Sequence, residues 1–494
     1  MRKTVPIFYN ALLLTAVNLL LRFVSTSFQV HISSRIGAEG VGLLQLVLSV
    51  GGLALTAGMA GIRTATMYLT AEELGRKRPQ NVTWILRGSF LYSICISGGI
   101  ALAVYWGAPY LAANWVGNER SVDAIRLFAK FLPVVCLTGC MTGYFTAANR
   151  ITTLAGIEIG EQLCYMAVTL TLLILWAGSD PERACVAVVA GSGISSTLTL
   201  ACLLFLRHRE HPPKGKRITV AKRLAQTAVP LGLADDVKSA ISTTEHLMVP
   251  KRLALYAGAV SPLATFGTVV GMVFPVLMFP AAILFALAEL LIPELARCNA
   301  ADSTIRIRYL VRRGLRVALL YGCISSGVLY LIARPLCMKL YQSPSAGQYL
   351  ALYSILIPML YCDIITDAMT KGLGQQKACV RYNILTSGMD VVLLYLLLPK
   401  YGMTGYFLSF FVTHLLNFIL SLRRLLKISK IKLPFYRPAL TCAATALSVM
   451  MCKLLASPFL RIPAFLLITG CLLVLFRVVG KPDFLWIKGL VYKK

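Results

Sequence analysis

Six polar residues along one apolar stretch are the first sign of chemistry. In LAQTAVPLGLADDVKSAISTTEHLMV, residues 224–249, the side chains of Asp235, Lys238, Ser239, Ser242, Glu245 and His246 share one helical face about 120° wide at about 100° per residue. Asp236 and Thr243 stand to one side of it. The stretch is long and apolar enough to cross a bilayer as a helix, where each ionisable side chain costs about 2.5 to 3.5 kcal/mol. Such a row must face a wet cavity or its own members. An Asp235–Lys238 pair, three residues apart, would neutralise only itself and leave Glu245 and His246 unexplained, so the row reads as a polar pathway.

A second stripe lies in the first apolar stretch, where Asn18, Arg22, Ser25 and Gln29 follow one another at i, i+4, i+7 and i+11. Arg22 is close to mid-span, too far from either end to snorkel easily. Arg63 follows two glycines in GMAGIRTA, a place for a helix to bend, and reads either as a second deep cation or as an arginine snorkelling to the inner face. Asp363, which precedes Asp367 by one turn, and Asp390, mid-span in a later stretch, are further candidates for ion coupling together with Asp235, Asp236, Glu245 and His246. No group of residues has metal-ligand spacing, no cofactor is expected, and a coupling ion, Na+ or H+, is left open.

The elements that hold these residues are membrane spans. The 494 residues are 57% hydrophobic and only 14% charged, which excludes a soluble globular protein and points to an all-α polytopic membrane protein. At roughly 20 residues per span there are about fourteen, among them 7–30, 41–66, 224–248, 264–290, 382–399, 403–422, 438–456 and 461–479. Lys and Arg number 49 against 20 Asp and Glu. In a soluble chain that excess would suggest nucleic acid. Here the cations cluster in alternate connections, at Arg2/Lys3, Arg76 to Arg78, 207–223, 297–316 and 423–437, so topology accounts for them and no nucleic-acid partner is expected. That side is cytoplasmic and holds both termini, and the expected location is the bacterial cytoplasmic membrane. The fourteen cysteines fall mostly inside spans, without a CxxC pair, and read as small packing residues.

The chain also matches itself at an offset of about 225 residues. Pro6 aligns with Pro230, Arg87-Gly88 with Arg313-Gly314, Pro109 with Pro335 and Pro133 with Pro358. Parallel repeats about an axis along the bilayer normal follow, giving two pseudo-twofold-related six-helix lobes at 1–210 and 224–430, a basic cytoplasmic linker at 211–223, and two extra helices with a basic tail at 431–494. No GxxxxGK[ST] loop, HExxH or GxSxG motif is present, and no connection is long enough for a soluble catalytic domain, so the chain reads as a transporter and not an enzyme.

IGAEGVGLLQL after the first stretch, GIRTATMYLTAEE at the end of the second, the mid-helix proline of FAKFLPVV and GLGQQKA together resemble the polysaccharide-transport branch of the multidrug/oligosaccharidyl-lipid/polysaccharide (MOP) exporter superfamily, and its sporulation-linked members in particular. The resemblance implies an alternating-access flippase, monomeric among membrane lipids, for undecaprenyl-pyrophosphate-linked oligosaccharides or peptidoglycan precursors of wall, cortex or capsule. Lipid II flippases of that superfamily hold essential arginines in a central cavity, and Arg22 is the matching feature. Many relatives have a proline in the segment where this chain has Arg63. On that reading Arg22, Arg63 and Lys238, with Asn18 and Gln29, hold the anionic headgroup, since a guanidinium offers a pyrophosphate bidentate, charge-assisted hydrogen bonds. Two other readings stand beside it: a multidrug and toxin extrusion type cation antiporter, and a non-transporting scaffold of wall synthesis. Replacing Arg22 with Ala separates them. A flippase loses precursor export with normal membrane insertion, a cation exporter tolerates the change, and a scaffold is insensitive to it, as measured by precursor accumulation and protein level.

Overall fold

The computed structural model describes residues 4–178, 180–209, 220–258, 260–431, 436–455 and 458–478, with side chains from Leu19 onward apart from Arg22, Ile151, Leu231, Ala234, Pro458 and Phe459. Among these residues every regular element is helical. The chain forms two compact units, Met1–Gly271 with Val391–Gly405, and Met272–Asp390 with Tyr406–Lys494.

The first unit holds α1 (Thr4–Met59), α2 (Ile62–Gly75), α3 (Pro79–Tyr110), α4 (Val122–Ala147), α5 (Ile151–Leu172), α6 (Pro181–Arg209), α7 (Ala221–Leu253) and the short α8 (Pro262–Phe266). Two glycines divide its longest run. Gly37 has φ 72° and ψ 176° inside α1, and Gly61 has φ 71° between α1 and α2, conformations that only glycine adopts without strain. The first separates the expected spans 7–30 and 41–66; the second is the bend that GMAGIRTA foretells.

Small residues then set how closely the helices approach. A methyl group on Gly61 would lie 2.3 Å from the Ala228 carbonyl oxygen of α7, and one on Gly232 would lie 2.6 Å from the Ala60 carbonyl carbon. Further along α1, a methyl on Gly42 would meet the Leu263 oxygen at 2.3 Å, and one on Gly267 the Ala38 oxygen at 2.0 Å. Within a membrane, where lipid is as apolar as leucine, such backbone-to-backbone contact is a main source of helix association. Around the Gly61 crossing, Ile62, Leu69, Ile85, Cys140, Leu224 and Ala228 form one buried cluster that joins α2, α3, α4 and α7.

The second unit holds α9 (Phe274–Met278), α10 (Ala282–Ala300), α11 (Thr304–Tyr341), α12 (Pro344–Ser354), α13 (Ile357–Gly372), the two outer parts of α14 (Gln376–Ser429), α15 (Tyr436–Lys453) and α16 (Pro458–Leu475). Between α12 and α13 the chain bends by 57°, with Pro358 in the first turn after the break, while its expected counterpart Pro133 stays inside the continuous helix α4. A missing N–H costs nothing in a first turn, so the same residue type starts one helix and lies within another. The two C-terminal helices pack on α11 through Leu331, Cys452 and Phe465, and a methyl on Gly327 would strike the Phe465 ring at 2.2 Å. Leu467 and Leu475 on α16 are left 70% and 71% exposed, as suits a lipid-facing surface.

By length and composition, seven helices among the described residues could cross a membrane, or nine if each of two bent pairs is one span. Part of the shortfall from fourteen has local causes. α1 and α14 each contain two of the expected stretches, divided at Gly37 and at Gly402 (φ 56°), and α7 carries too many charges to count as apolar. Many hydroxyl side chains inside the helices are satisfied within their own turn: Thr138, Thr366, Thr370 and Ser448 each donate to the carbonyl four residues earlier, at 2.7 to 3.0 Å.

The Gly267 crossing should be intolerant of a single added carbon. Gly267→Ala is expected to lower the thermal stability of the detergent-solubilised protein by about 1–3 kcal/mol, the usual cost of overpacking. Gly98→Ala, whose methyl meets nothing within 4 Å, should leave stability unchanged or raise it.

Candidate functional site

A cavity of about 610 Å³ lies inside the first unit, bounded by the second half of α1, the start of α2 and the middle of α7. Volumes of this order hold a small molecule or one headgroup. Arg63, Asp235 and Lys238 supply its charge; Gln45, Ser49, Thr56, Thr64, Ser239, Ser242, Thr243 and His246 supply hydroxyl, amide and imidazole groups. Leu48, Leu55 and Met59 are its large apolar members, and no aromatic residue lines it among those described.

Local geometry explains why α7 turns this face inward. Thr243 donates its hydroxyl to the Ser49 carbonyl at 3.1 Å, and the His246 Nδ1 lies 2.7 Å from Ser49 Oγ. Ser49 has one hydroxyl proton, and the Gln45 carbonyl, 2.7 Å away, takes it. The His246 Nδ1 therefore carries a proton and donates it to Ser49 Oγ. The edge of that ring also meets Phe266 of α8, with centroids 5.9 Å apart. At the other end of the cavity the Gly61/Gly232 crossing brings α7 against α2 and places Arg63 opposite Asp235 and Lys238. None of these three closes an ion pair among the described residues. The self-neutralising Asp235–Lys238 pair therefore does not form, and both groups open into the cavity.

The structure thus brings together Arg63, Lys238, Asp235 and His246. Asn18 and Arg22 lie on α1, but their side chains fall outside the described residues. Gln29, Asp236 and Glu245 do not line the cavity. Asp236 has a buried Oδ1 without a hydrogen-bond partner and lies within electrostatic reach of Tyr92 on α3, and Glu245 is half-buried with a partner of its own. Asp363 and Asp390 belong to the second unit. Asp363 accepts from Asn417 Nδ2 at 3.0 Å and its other oxygen is buried without a partner; Asp390, 6% exposed, accepts from Ser409 at 2.5 Å and Thr413 at 3.2 Å.

Two groups of residues escaped the sequence reading. Gln45, Ser49, Gly52 and Thr56 all line the cavity at i, i+4, i+7 and i+11, the spacing already noticed for Asn18 to Gln29. The signal was present but muted, because serine, threonine and glycine are ordinary in membrane helices. On α5, Glu158 lies within electrostatic reach of Arg63, and Glu161 accepts from Ser196 of α6 at 3.0 Å. Two acids three residues apart inside an apolar stretch could have marked them.

At the far end of α2 a denser knot of charge closes the unit. Arg223, at the start of α7, donates to Glu72 at 2.8 Å and to Glu73 at 3.1 Å, and Asn81 donates to Glu73 at 2.8 Å. Glu73 is only 2% exposed, so this carboxylate depends on those donors.

The family model of the polysaccharide biosynthesis proteins matches residues 7–298, which include every residue lining the cavity. The chain belongs to this family. Among curated proteins, this family member is 22% identical over 470 residues to stage V sporulation protein B of Bacillus subtilis (strain 168), covering 91% of this chain and 88% of that protein. Among solved structures it is similar to the lipid II flippase MurJ in an inward closed conformation, with TM-score 0.68, 12% identity and coverage of 94% and 99% of the two chains. It is also similar to an inward-facing multidrug resistance MATE family transporter of the MOP superfamily, with TM-score 0.67, 13% identity and coverage of 86% and 100%. The fold is thus that of MOP-superfamily membrane transporters, as the sequence motifs imply.

Removing Arg223 should strand the Glu73 carboxylate. Arg223→Ala is expected to cost about 1–2 kcal/mol, the lower part of the range for an unsatisfied buried group because Arg223 itself is 41% exposed. Adding Glu73→Gln to it should restore part of the loss, read by thermal unfolding in detergent.

Proposed function

We propose that the protein is a flippase that moves an undecaprenyl-pyrophosphate-linked oligosaccharide or peptidoglycan precursor across the bacterial cytoplasmic membrane, both termini being cytoplasmic. The observation that carries this reading is that Arg63 and Lys238 open into one cavity in which Asp235 is the single lining carboxylate among the described residues, and none of the three is paired. The lining itself therefore carries a cationic excess where charge is most expensive, which an anion would offset; Glu158 of α5, within electrostatic reach of Arg63, does not line the cavity. A pyrophosphate suits it: Arg63 offers a planar fork of donors and Lys238 a mobile point charge, while Asp235 keeps both cations turned inward. The seryl, threonyl, Gln45 and His246 groups farther along α1 and α7 match the hydroxyl and amide groups of a sugar. Asn18 and Arg22, whose side chains lie outside the described residues, are proposed to contribute to holding the same headgroup.

The cavity holds a headgroup fragment, so the prenyl tail would remain in lipid as the site opens to one membrane face and then the other. With no nucleotide-binding motif, net movement would draw on the membrane potential, on a Na+ or H+ gradient, or on removal of product outside; one charge crossing 100 mV is worth about 2.3 kcal/mol. Asp235, Asp236, Glu245, His246, Asp363 and Asp390 remain the candidates that the sequence offers for coupling to such an ion. Membership of a polysaccharide biosynthesis family supports a glycan as cargo. A drug-cation antiporter fits the cavity less well, because its cations would repel the substrate and it lacks aromatic walls.

The test is Arg63→Gln with Lys238→Gln. Transfer of undecaprenyl-pyrophosphate-linked glycan in proteoliposomes should fall about tenfold or more, the effect of losing charge-assisted hydrogen bonds of about 1.5–3 kcal/mol each. Arg63→Lys should fall in between. Undiminished transfer in the double variant would remove these cations from the mechanism and, with them, the reason for an anionic substrate.

A further inference from the structure

At the opposite end of α3 from Arg76, Lys77 and Arg78 lies a second, smaller concentration of positive charge that the cavity does not use. Arg126 and Lys130 stand one turn apart on α4, and both reach the ring of Tyr105 near the end of α3, with the guanidinium carbon 5.5 Å and the ammonium nitrogen 5.8 Å from its centroid. Like charges on one helical face repel, and the ring's negative face offsets only part of that. Neither cation has a carboxylate partner among the described residues. Asp123, one turn before Arg126, forms no ion pair with it, and the nearby Glu182 is engaged by Arg120 at 3.4 Å. Arg126 is half-buried, and its Nε is buried with no acceptor, an orphan donor of the kind native structures rarely keep.

That nitrogen is closed to solvent, but the terminal nitrogens of the same guanidinium are not among the buried unpartnered atoms, and the surroundings identify what would accept from them. Leu102, Trp106 and Tyr110 on the same end of α3 are 62%, 77% and 63% exposed, the amphipathic belt by which membrane helices mark the headgroup level. The patch also lies on the side that is otherwise poor in Lys and Arg, so topology does not account for it. We propose that Arg126, Lys130 and Tyr105 form a binding site for the phosphate of a lipid headgroup in the leaflet where α3 ends. Arg126 grips the phosphate oxygens through its fork, Lys130 adds a point charge from one turn further along, and the Tyr105 ring holds the two cations side by side. The acyl chains then run along the apolar surface of α3. The site stands apart from the cavity and does not depend on what the cavity carries.

The experiment is lipid titration of the full-length protein in nanodiscs or micelles, read by native mass spectrometry with phosphatidylglycerol, undecaprenyl pyrophosphate, diacylglycerol and inorganic phosphate as probes. Arg126→Gln with Lys130→Gln should weaken binding of phosphate-bearing lipid about tenfold, a change of about 1.4 kcal/mol. Diacylglycerol retention, and all binding to Arg120→Gln, should not change. Lys130→Gln alone should give a partial loss and guards against misfolding of the double variant. A loss for both phosphate lipids marks a general phospholipid site; a loss confined to undecaprenyl pyrophosphate marks a station for that carrier. Equal lipid retention by wild type and double variant, or binding of inorganic phosphate as tight as that of lipid, would overturn the proposal.

Discussion

A charge inside a bilayer must meet water, a partner or an opposite charge, and the first unit is arranged around that constraint. α1 and α7 each carry a row of polar residues on one face, and the two faces meet at the cavity. What makes this possible is the scarcity of side chain at the crossings. Gly61 and Gly232 bring the backbones of α2 and α7 together at one end of the polar row, and Gly42 and Gly267 do the same for α1 and the segment after α8. Between the crossings, Ser49, Thr243 and His246 bond the helices directly, and the remaining width is the cavity.

The buried acids of the two units have been treated differently by the fold. Asp390 is sealed by two hydroxyl donors and Asp363 by an amide on one oxygen, which lowers the cost of burial and holds each where it is. Asp235 has no such partner and shares open space with two cations. A closed cluster resists exchange, whereas open charges of both signs can trade partners with a ligand at small net cost. The Glu72/Glu73/Arg223 knot is intermediate: its ions are paired, one carboxylate is buried, and it ties the start of α7 to the end of α2. It anchors the helix whose opposite end carries His246.

Membership of the polysaccharide biosynthesis family and the transporter fold come from separate observations, one from sequence and one from shape. MATE transporters and MurJ share that shape at 12% to 13% identity with this chain, so backbone geometry alone does not select a substrate. Selection has to come from the side chains in the cavity. On the function proposed above, the two cations without an ion pair and the lack of Phe, Tyr or Trp among the described lining residues suit an anionic, hydroxyl-rich headgroup better than a flat organic cation.

Hydropathy and charge alone were enough to establish a polytopic helical membrane protein, and GMAGIRTA marked the bend at Gly61, because bilayer thickness and backbone hydrogen bonding allow so few alternatives; the break at Gly37 was seen only in the structure. The polar face of residues 235–246 was legible for the same reason, since each charge in a span is an exception that needs a cause. Which residues that face would meet was not legible. Periodicity says which side chains share a face of one helix, but the partner face depends on how two helices cross, and that crossing is set by glycine contacts between residues more than 160 positions apart. Hence Gln45, Ser49 and Thr56 passed as ordinary helix residues until α7 was seen against them. Periodicity had already set Asp236 to one side of the face that holds Asp235; what the tertiary structure added is that Asp235 opens to the cavity while an Asp236 oxygen is buried without a partner. One residue along a helix is a rotation of about 100°, enough to move a carboxylate from a wet surface into a packed one.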